Sequence, residues 1–299
     1  MKLERRKAYN PPIKWKESEV QLLLDILKTD GYNADRLQND FPHRTLAAIR
    51  SKVRKLRIKH DLFGESYREE KSAFTIKIAK SLNISTVYDA YAGAGHQTFK
   101  WVSIVDTVFA SERDNNKLES FSKAALKEGF TLVPSTIAGF SRFTKGSKEV
   151  QFYSGDAIKA STLLSSSGIQ IDLIDLDTCG STIPSLSTFL LLLEPKHLVI
   201  THGEFHSMRF QREDVIRRLF SHRDITNSIL PRTVDEMSIE LDKAVKMTSL
   251  RAHNETANSF WPILEDETWL GNKAHGMLRR YYRISKPSAT SDCINELSE

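Results

Sequence analysis

Two aspartates, Asp175 and Asp177, close the apolar run in residues 171–181, IDLIDLDTCGS. Ile171, Leu173, Ile174 and Leu176 read as a short buried strand that delivers its acids to one edge, just before a polar, glycine-bearing turn. Three earlier segments have the same form: TVYD at 86–89 runs into AYAGAG, TVFAS at 107–111 into Glu112, and VQFY at 150–153 into Ser154, Gly155 and Asp156. Carboxylates gathered beyond the carboxyl ends of parallel strands are placed to accept hydrogen bonds or protons from a ligand's hydroxyls and amines. Cys179 is either a nucleophile or a small turn residue lining the same pocket. His202, Glu204 and His206 have metal-ligand chemistry, but no further ligands stand at a familiar spacing. That tract therefore reads as a border of the substrate pocket or as a polar loop, and no metal is expected.

These residues need a sheet to position them. From Val87 onward strands and helices alternate, which predicts a doubly wound α/β sheet. The loop from Asp89 through Tyr91 and Gly93 to Gly95 follows the first strand and opens a helix over 96–102. Its glycines let the backbone pass close to a ligand without a Cβ clash, and the free amides at the helix start favour an electron-rich group. Glu112 stands 23 residues after Asp89, at the end of the second strand, where an acid would accept both ribose hydroxyl protons. A lead-in helix is expected over 69–82, with Phe74, Ile78 and Leu82 on its apolar face. Helices at 210–220 and 234–252 and strands at 259–264 and 277–284 complete the sheet. Phe260, Trp261 and Trp269 are core residues or a stacking surface for a base.

The front of the chain differs. Residues 1–60 hold 15 Lys/Arg against 7 Asp/Glu, whereas the remainder holds 28 against 31, so all the net charge of +5 originates there. A localised basic patch is the electrostatic footprint of a polyanion binder. Trp15, Val20, Leu23, Leu24 and Leu27 mark a first helix ended by Gly31. A second covers about 34–39. A third begins after Thr45 as N-cap and turns Leu46, Ile49, Val53 and Leu56 inward. Arg50, Ser51, Arg54 and Lys55 lie on its other faces.

No apolar run approaches the roughly 20 residues of a membrane span, and no apolar segment follows the charged start MKLERRKAYN, so neither a membrane anchor nor a secretory signal is expected. Only Cys179 and Cys293 are present, too few for a disulfide framework. A reducing, intracellular setting, cytoplasmic or nuclear, is the expectation.

The phrases WKESEV and FPHRTLAAIRSKVRKLRI, within residues 13–60, resemble the Myb/SANT-like helix-turn-helix module. That resemblance implies a nucleic-acid-binding face made by Arg44, Arg50, Ser51, Arg54 and Lys55. Residues 74–284, with an acid–glycine loop and three further strand-end acids, resemble the class I S-adenosylmethionine (SAM)-dependent methyltransferases. By that resemblance Asp89, Tyr91, Gly93 and Gly95 line the methionine end of SAM, Glu112 the ribose and Asp156 the adenine edge. Asp175 and Asp177 face the methyl group. Within this class IDLIDLDTCGS is similar to the D-P-F-G-S motif of the tRNA guanine-N2 methyltransferases, with Asp177, Gly180 and Ser181 matched and Thr178 and Cys179 replacing proline and phenylalanine. Cysteine beside such an acid is the nucleophile in cytosine carbon-5 methyltransferases, whose preceding proline is Thr178 here.

The expected organisation is a helical nucleic-acid-binding domain over 1–60, a linker and lead-in helix over 61–85, a Rossmann-like methyltransferase domain over 86–285 and a disordered tail over 286–299. The resemblances imply a SAM-dependent enzyme that methylates a base, at an exocyclic amine, in duplex DNA held by the front module. RNA as the substrate, and a SAM-binding but inactive subunit serving a catalytic protein partner, are the alternatives.

Overall fold

The computed structural model describes residues 14–29, 34–60, 67–178, 180–209, 212–219, 230–256, 260–271 and 276–285. Cys179, Cys293, Gly31, residues 61–66 and residues 286–299 lie outside them. The chain divides into two compact units between Ser66 and Tyr67.

The first unit contains helices α1 (Glu17–Thr29), α2 (Ala34–Asp40) and α3 (Leu46–His60). Leu23, Ile26, Leu27, Leu37, Phe41, Ile49, Val53 and Leu56 form its core, spaced three and four apart as an amphipathic helix requires. Thr45 caps α3 by accepting the Ala48 amide at 3.2 Å. Trp15 packs edge-on against Phe41, with ring centroids 5.6 Å apart.

Among the described residues, the second unit is built on a nine-stranded sheet. Its strands are β1 (Thr86–Asp89), β2 (Thr107–Glu112), β3 (Thr131–Val133), β4 (Phe140–Lys145), β5 (Lys148–Ser154), β6 (Leu173–Leu176), β7 (His197–His202), β8 (Trp261–Leu270) and β9 (Met277–Ser285). They lie in the order β3-β4-β5-β2-β1-β6-β7-β9-β8. The central five, β5, β2, β1, β6 and β7, are parallel, and β3, β4, β9 and β8 pair antiparallel at the flanks. The chain winds outward from β1 through β2 to β5, then returns to lay β6 on the other side of β1. The switch point thus falls between β1 and β6, where a ligand crevice is expected at the carboxyl ends.

Helices cover both faces. On one lie α4 (Arg68–Ser81), α5 (His96–Val102) and α6 (Asn115–Lys127); on the other lie α7 (Ala157–Ser166), α8 (Ile183–Leu193), α9 (Phe205–Arg209), α10 (Glu213–Leu219) and α11 (Val234–Thr256). Alternation along the strands explains the division, since Val87 and Leu173 join the first layer while Tyr88 and Ile174 join the second. The lead-in helix is part of this unit: Phe74, Ile78 and Ala79 of α4 are buried with Val87, Trp101 and Val199.

The hairpin β3–β4 has no counterpart in the sequence reading, and β8 runs six residues beyond its expected end. Phe260 and Trp261 are buried, and Trp269 packs edge-on against Phe205, so these rings belong to the core. At the amino edge Asp172 accepts hydrogen bonds from the Ser85 and Thr86 amides and from Lys196. Partial burial pushes its carboxyl up, but these donors outweigh it and hold the group at about 2.

Candidate functional site at the sheet's switch point

The glycine loop is folded by its neighbours. Ala92 donates its amide to Ser111 of β2, and Gly95 closes a turn onto Ala92 at 2.7 Å. Gly95 has φ of +91°, and a Cβ there would lie 2.6 Å from the Phe99 ring and 2.8 Å from Phe121, so both backbone and packing demand glycine. Gly93, also at positive φ, would place a Cβ in open space with nothing within 4 Å. The loop therefore has room above it.

Three of the expected acids meet around this loop. Asp89 is buried at the end of β1 and accepts the Thr98 hydroxyl at 2.6 Å, which ties it to α5. Glu112 accepts the Gly93 amide on Oε2 at 3.0 Å and the Asp114 amide on Oε1 at 2.8 Å. Asp156 is the N-cap of α7, accepting the Ile158 and Lys159 amides on Oδ1, and is exposed. Tyr91 is half-buried, edge-on to Phe189, with its hydroxyl 3.4 Å from Ser185; burial pushes this phenol up.

The paired aspartates separate. Asp175, expected at the methyl group, is fully buried inside β6. Its Oδ2 accepts the Trp101 indole N–H at 2.7 Å and Arg279 Nη2 at 2.6 Å, and the same guanidinium donates to Thr201. A carboxylate with no exposure and an arginine partner holds helices and strands together beneath the edge. Asp177 lies just past the strand, where the sequence placed it. Its Oδ2 is 2.5 Å from Lys71 Nζ, and the two side chains are 9% and 5% exposed. The turn that follows is held locally by the Gly180 amide to Thr178 at 3.4 Å and the Ile183 amide to Ser181 at 3.2 Å.

Lys71 is the site residue that the sequence reading missed. Its signal was present: Lys71, Phe74, Thr75 and Ile78 share one buried face of α4, so a lysine occupies a core position of an amphipathic helix. At the end of β7, His202 and Glu204 are both buried, with Nδ1 3.5 Å from Oε2, and neither ring nitrogen nor either carboxylate oxygen makes a hydrogen bond among the described residues. Nothing is described of the His206 side chain.

In the first unit, Arg50, Ser51, Arg54 and Lys55 are exposed on α3. Arg44, expected beside them, is not available. It is 6% exposed, pairs with Glu19 at 2.6 Å, donates to the Lys14 carbonyl at 2.9 Å and lies 4.7 Å from the centre of the Trp15 ring. Its guanidinium, with His43 and the Lys16 amide, pulls the Glu19 carboxyl down to about 2. It is a clamp between the start of α1 and the start of α3.

No known protein-family profile matches this sequence, and no curated protein matches it. Similar folds are found among solved structures. Trm1 from Pyrococcus horikoshii in complex with S-adenosyl-L-methionine aligns with a TM-score of 0.57 at 15% identity, over 73% of this chain and 56% of that one. TYW2 from M. jannaschii in complex with AdoMet aligns at 0.45 and 11%, over 75% and 78%. Trm5b from Pyrococcus abyssi aligns at 0.43 and 11%, over 71% and 48%. This chain thus spans little more than half the length of the Trm1 structure. The strand order, the two helical layers and the likeness to Trm1 together give the second unit a doubly wound, Rossmann-like α/β fold.

Proposed function

We propose that this protein is a SAM-dependent methyltransferase acting on an exocyclic amine of a base in RNA, with duplex DNA as the second candidate polymer. The observation that carries the reading is the position of Asp177, a carboxylate at the carboxyl end of β6, across the switch point from the glycine loop of β1. The loop suits SAM: open space above Gly93 and the Glu112 carboxylate directly beside it match a cofactor with a ribose and an amino-acid end. Asp89 and Gly95 shape that cradle, and Asp156 borders it.

SAM supplies an electrophilic methyl group on a sulfonium. The chain's own residues then have two tasks. Asp177 accepts a hydrogen bond from the acceptor amine and so aims the nitrogen lone pair at the methyl carbon; holding both reactants in line supplies much of the rate. The proton that the methylated nitrogen must then shed would pass to Asp177 or to water.

A carboxylate, with an ordinary pKa of about 4, cannot strip an aliphatic ammonium, whose pKa is about 10. A base amine needs no such step, because it is already uncharged, and its proton becomes strongly acidic only once the methyl group is attached. RNA leads because the Asp177-Gly180-Ser181 motif resembles that of an RNA enzyme and because the fold likeness is to Trm1. The exposed Arg50, Arg54 and Lys55 of α3 would grip the phosphate backbone. A SAM-binding scaffold is the second reading, favoured by the engagement of Asp177 with Lys71.

The test is to incubate the purified protein with methyl-labelled SAM and, separately, tRNA, duplex DNA and single-stranded DNA, then identify the labelled nucleoside. Label in an N-methylated base of tRNA is expected. Label only in DNA would replace the polymer, and binding of SAM without transfer to any of the three would install the scaffold reading.

A further inference from the structure

We propose that Lys71 is the positioning residue for Asp177, so that the helix ahead of the sheet is a working part of the site. The inference rests on the methyltransferase reading above. Lys71 lies on the buried face of α4 at 4% exposure. A buried ammonium is tolerated only when paired, and Asp177 pairs with it at 2.5 Å across 106 positions of sequence. The dependence runs both ways, because the Asp177 carboxylate takes its orientation from a donor fixed in a packed helix.

The turn makes that anchor necessary. Where the motif it resembles has a proline directly after the aspartate, this chain has Thr178, which leaves the backbone a φ that proline would have locked. Among the described residues, the turn's own hydrogen bonds, 3.4 Å at Gly180 and 3.2 Å at Ile183, lie beyond and at the upper end of the usual range. From outside the turn, α4 brings the Lys71 ammonium to the Asp177 carboxylate. Phe74, Ile78 and Ala79 seat that helix in the same core as Val87 of β1 and Leu173 of β6, so Lys71 is carried by a rigid element. An ion pair replaces the rigidity of a proline turn.

The experiment uses the full chain as wild type, Lys71→Met, Lys71→Arg, Asp177→Asn and the double variant Lys71→Met/Asp177→Asn. Methyl transfer to tRNA, SAM affinity and melting temperature are measured for each. Lys71→Met is expected to lower kcat on the order of ten- to a hundredfold, with SAM affinity within about twofold of wild type and most of the loss recovered in Lys71→Arg. The double variant should be no slower than Asp177→Asn alone, since residues acting through one group are not additive. Melting should show the same coupling: Lys71→Met destabilises the wild-type background, where it strands a buried carboxylate, more than it destabilises the Asp177→Asn background. That readout stands even if Lys71→Met folds poorly at assay temperature.

An active wild type indifferent to Lys71→Met, or losses that multiply in the double variant, overturns this inference alone. A wild type that transfers no methyl group overturns the methyltransferase reading and this inference with it.

Discussion

Arg279 Nη2 lies 2.6 Å from Asp175 Oδ2 with both side chains at zero exposure, so one of the two aspartates expected at the methyl group is an anchor of the sheet's antiparallel flank. Trp101 of α5 donates to the same oxygen, and Thr75 of α4 lies within 3.4 Å of the same guanidinium. Removing one member of such a pair strands the other in the core. Asp175→Ala is expected to cost about 3–5 kcal/mol of unfolding free energy, read by urea denaturation of the second unit. The fraction that remains folded should bind SAM as wild type does; a tenfold loss of affinity in a stably folded Asp175→Ala protein would return the residue to the ligand edge.

Glu112 joins the second strand to the glycine loop through Gly93. Glu112→Ala removes the two acceptors assigned to the ribose and is expected to weaken SAM binding by roughly 1.5–3 kcal/mol, ten- to more than a hundredfold. Titration calorimetry measures it. Unchanged affinity would place the cofactor elsewhere.

On α3, neutralising Arg50, Arg54 and Lys55 together should flatten the dependence of log affinity on log salt. The slope should fall by about 0.9 for each phosphate left without its cation on a duplex, and by about 0.7 on a single strand. Arg44→Met belongs to a different class: it breaks the Glu19 clamp and should lower the thermal stability of the first unit. A salt slope that falls for Arg44→Met in a fully folded protein, and not for the triple variant, would reverse these assignments.

Asp172 sets an acid dependence. Its carboxyl, held at about 2 in the folded chain against about 4 unfolded, stabilises the fold fully above pH 4, and that contribution is lost as pH falls through about 2. With screening by nearby water the amount is about 1 kcal/mol. Asp172→Asn should therefore be less stable than wild type at pH 7 and approach it only once the pH falls below about 2. A stability difference that does not vary over that range would show that the carboxylate's charge is not what acts.

The features legible in the amino-acid order are local ones. Apolar runs ending in Asp89, Glu112, Asp156 and Asp177 declare strands and their carboxyl edge, because side-chain alternation and strand-end polarity are written within six or seven residues. The glycine loop, the Thr45 cap and the exposed basic side of α3 were readable for the same reason. So was the doubly wound order, since alternating elements leave few topologies open.

Partnership was decided only by the tertiary structure. Asp175 and Asp177, two residues apart, look alike in sequence, yet β6 buries one against Arg279, 104 positions away, and leaves the other to Lys71, 106 positions away. Arg44 looks like its basic neighbours until α1 brings Glu19 to it across 25 positions. A charge's role depends on what desolvates it and what pairs with it, and both come from chain segments that local pattern does not specify.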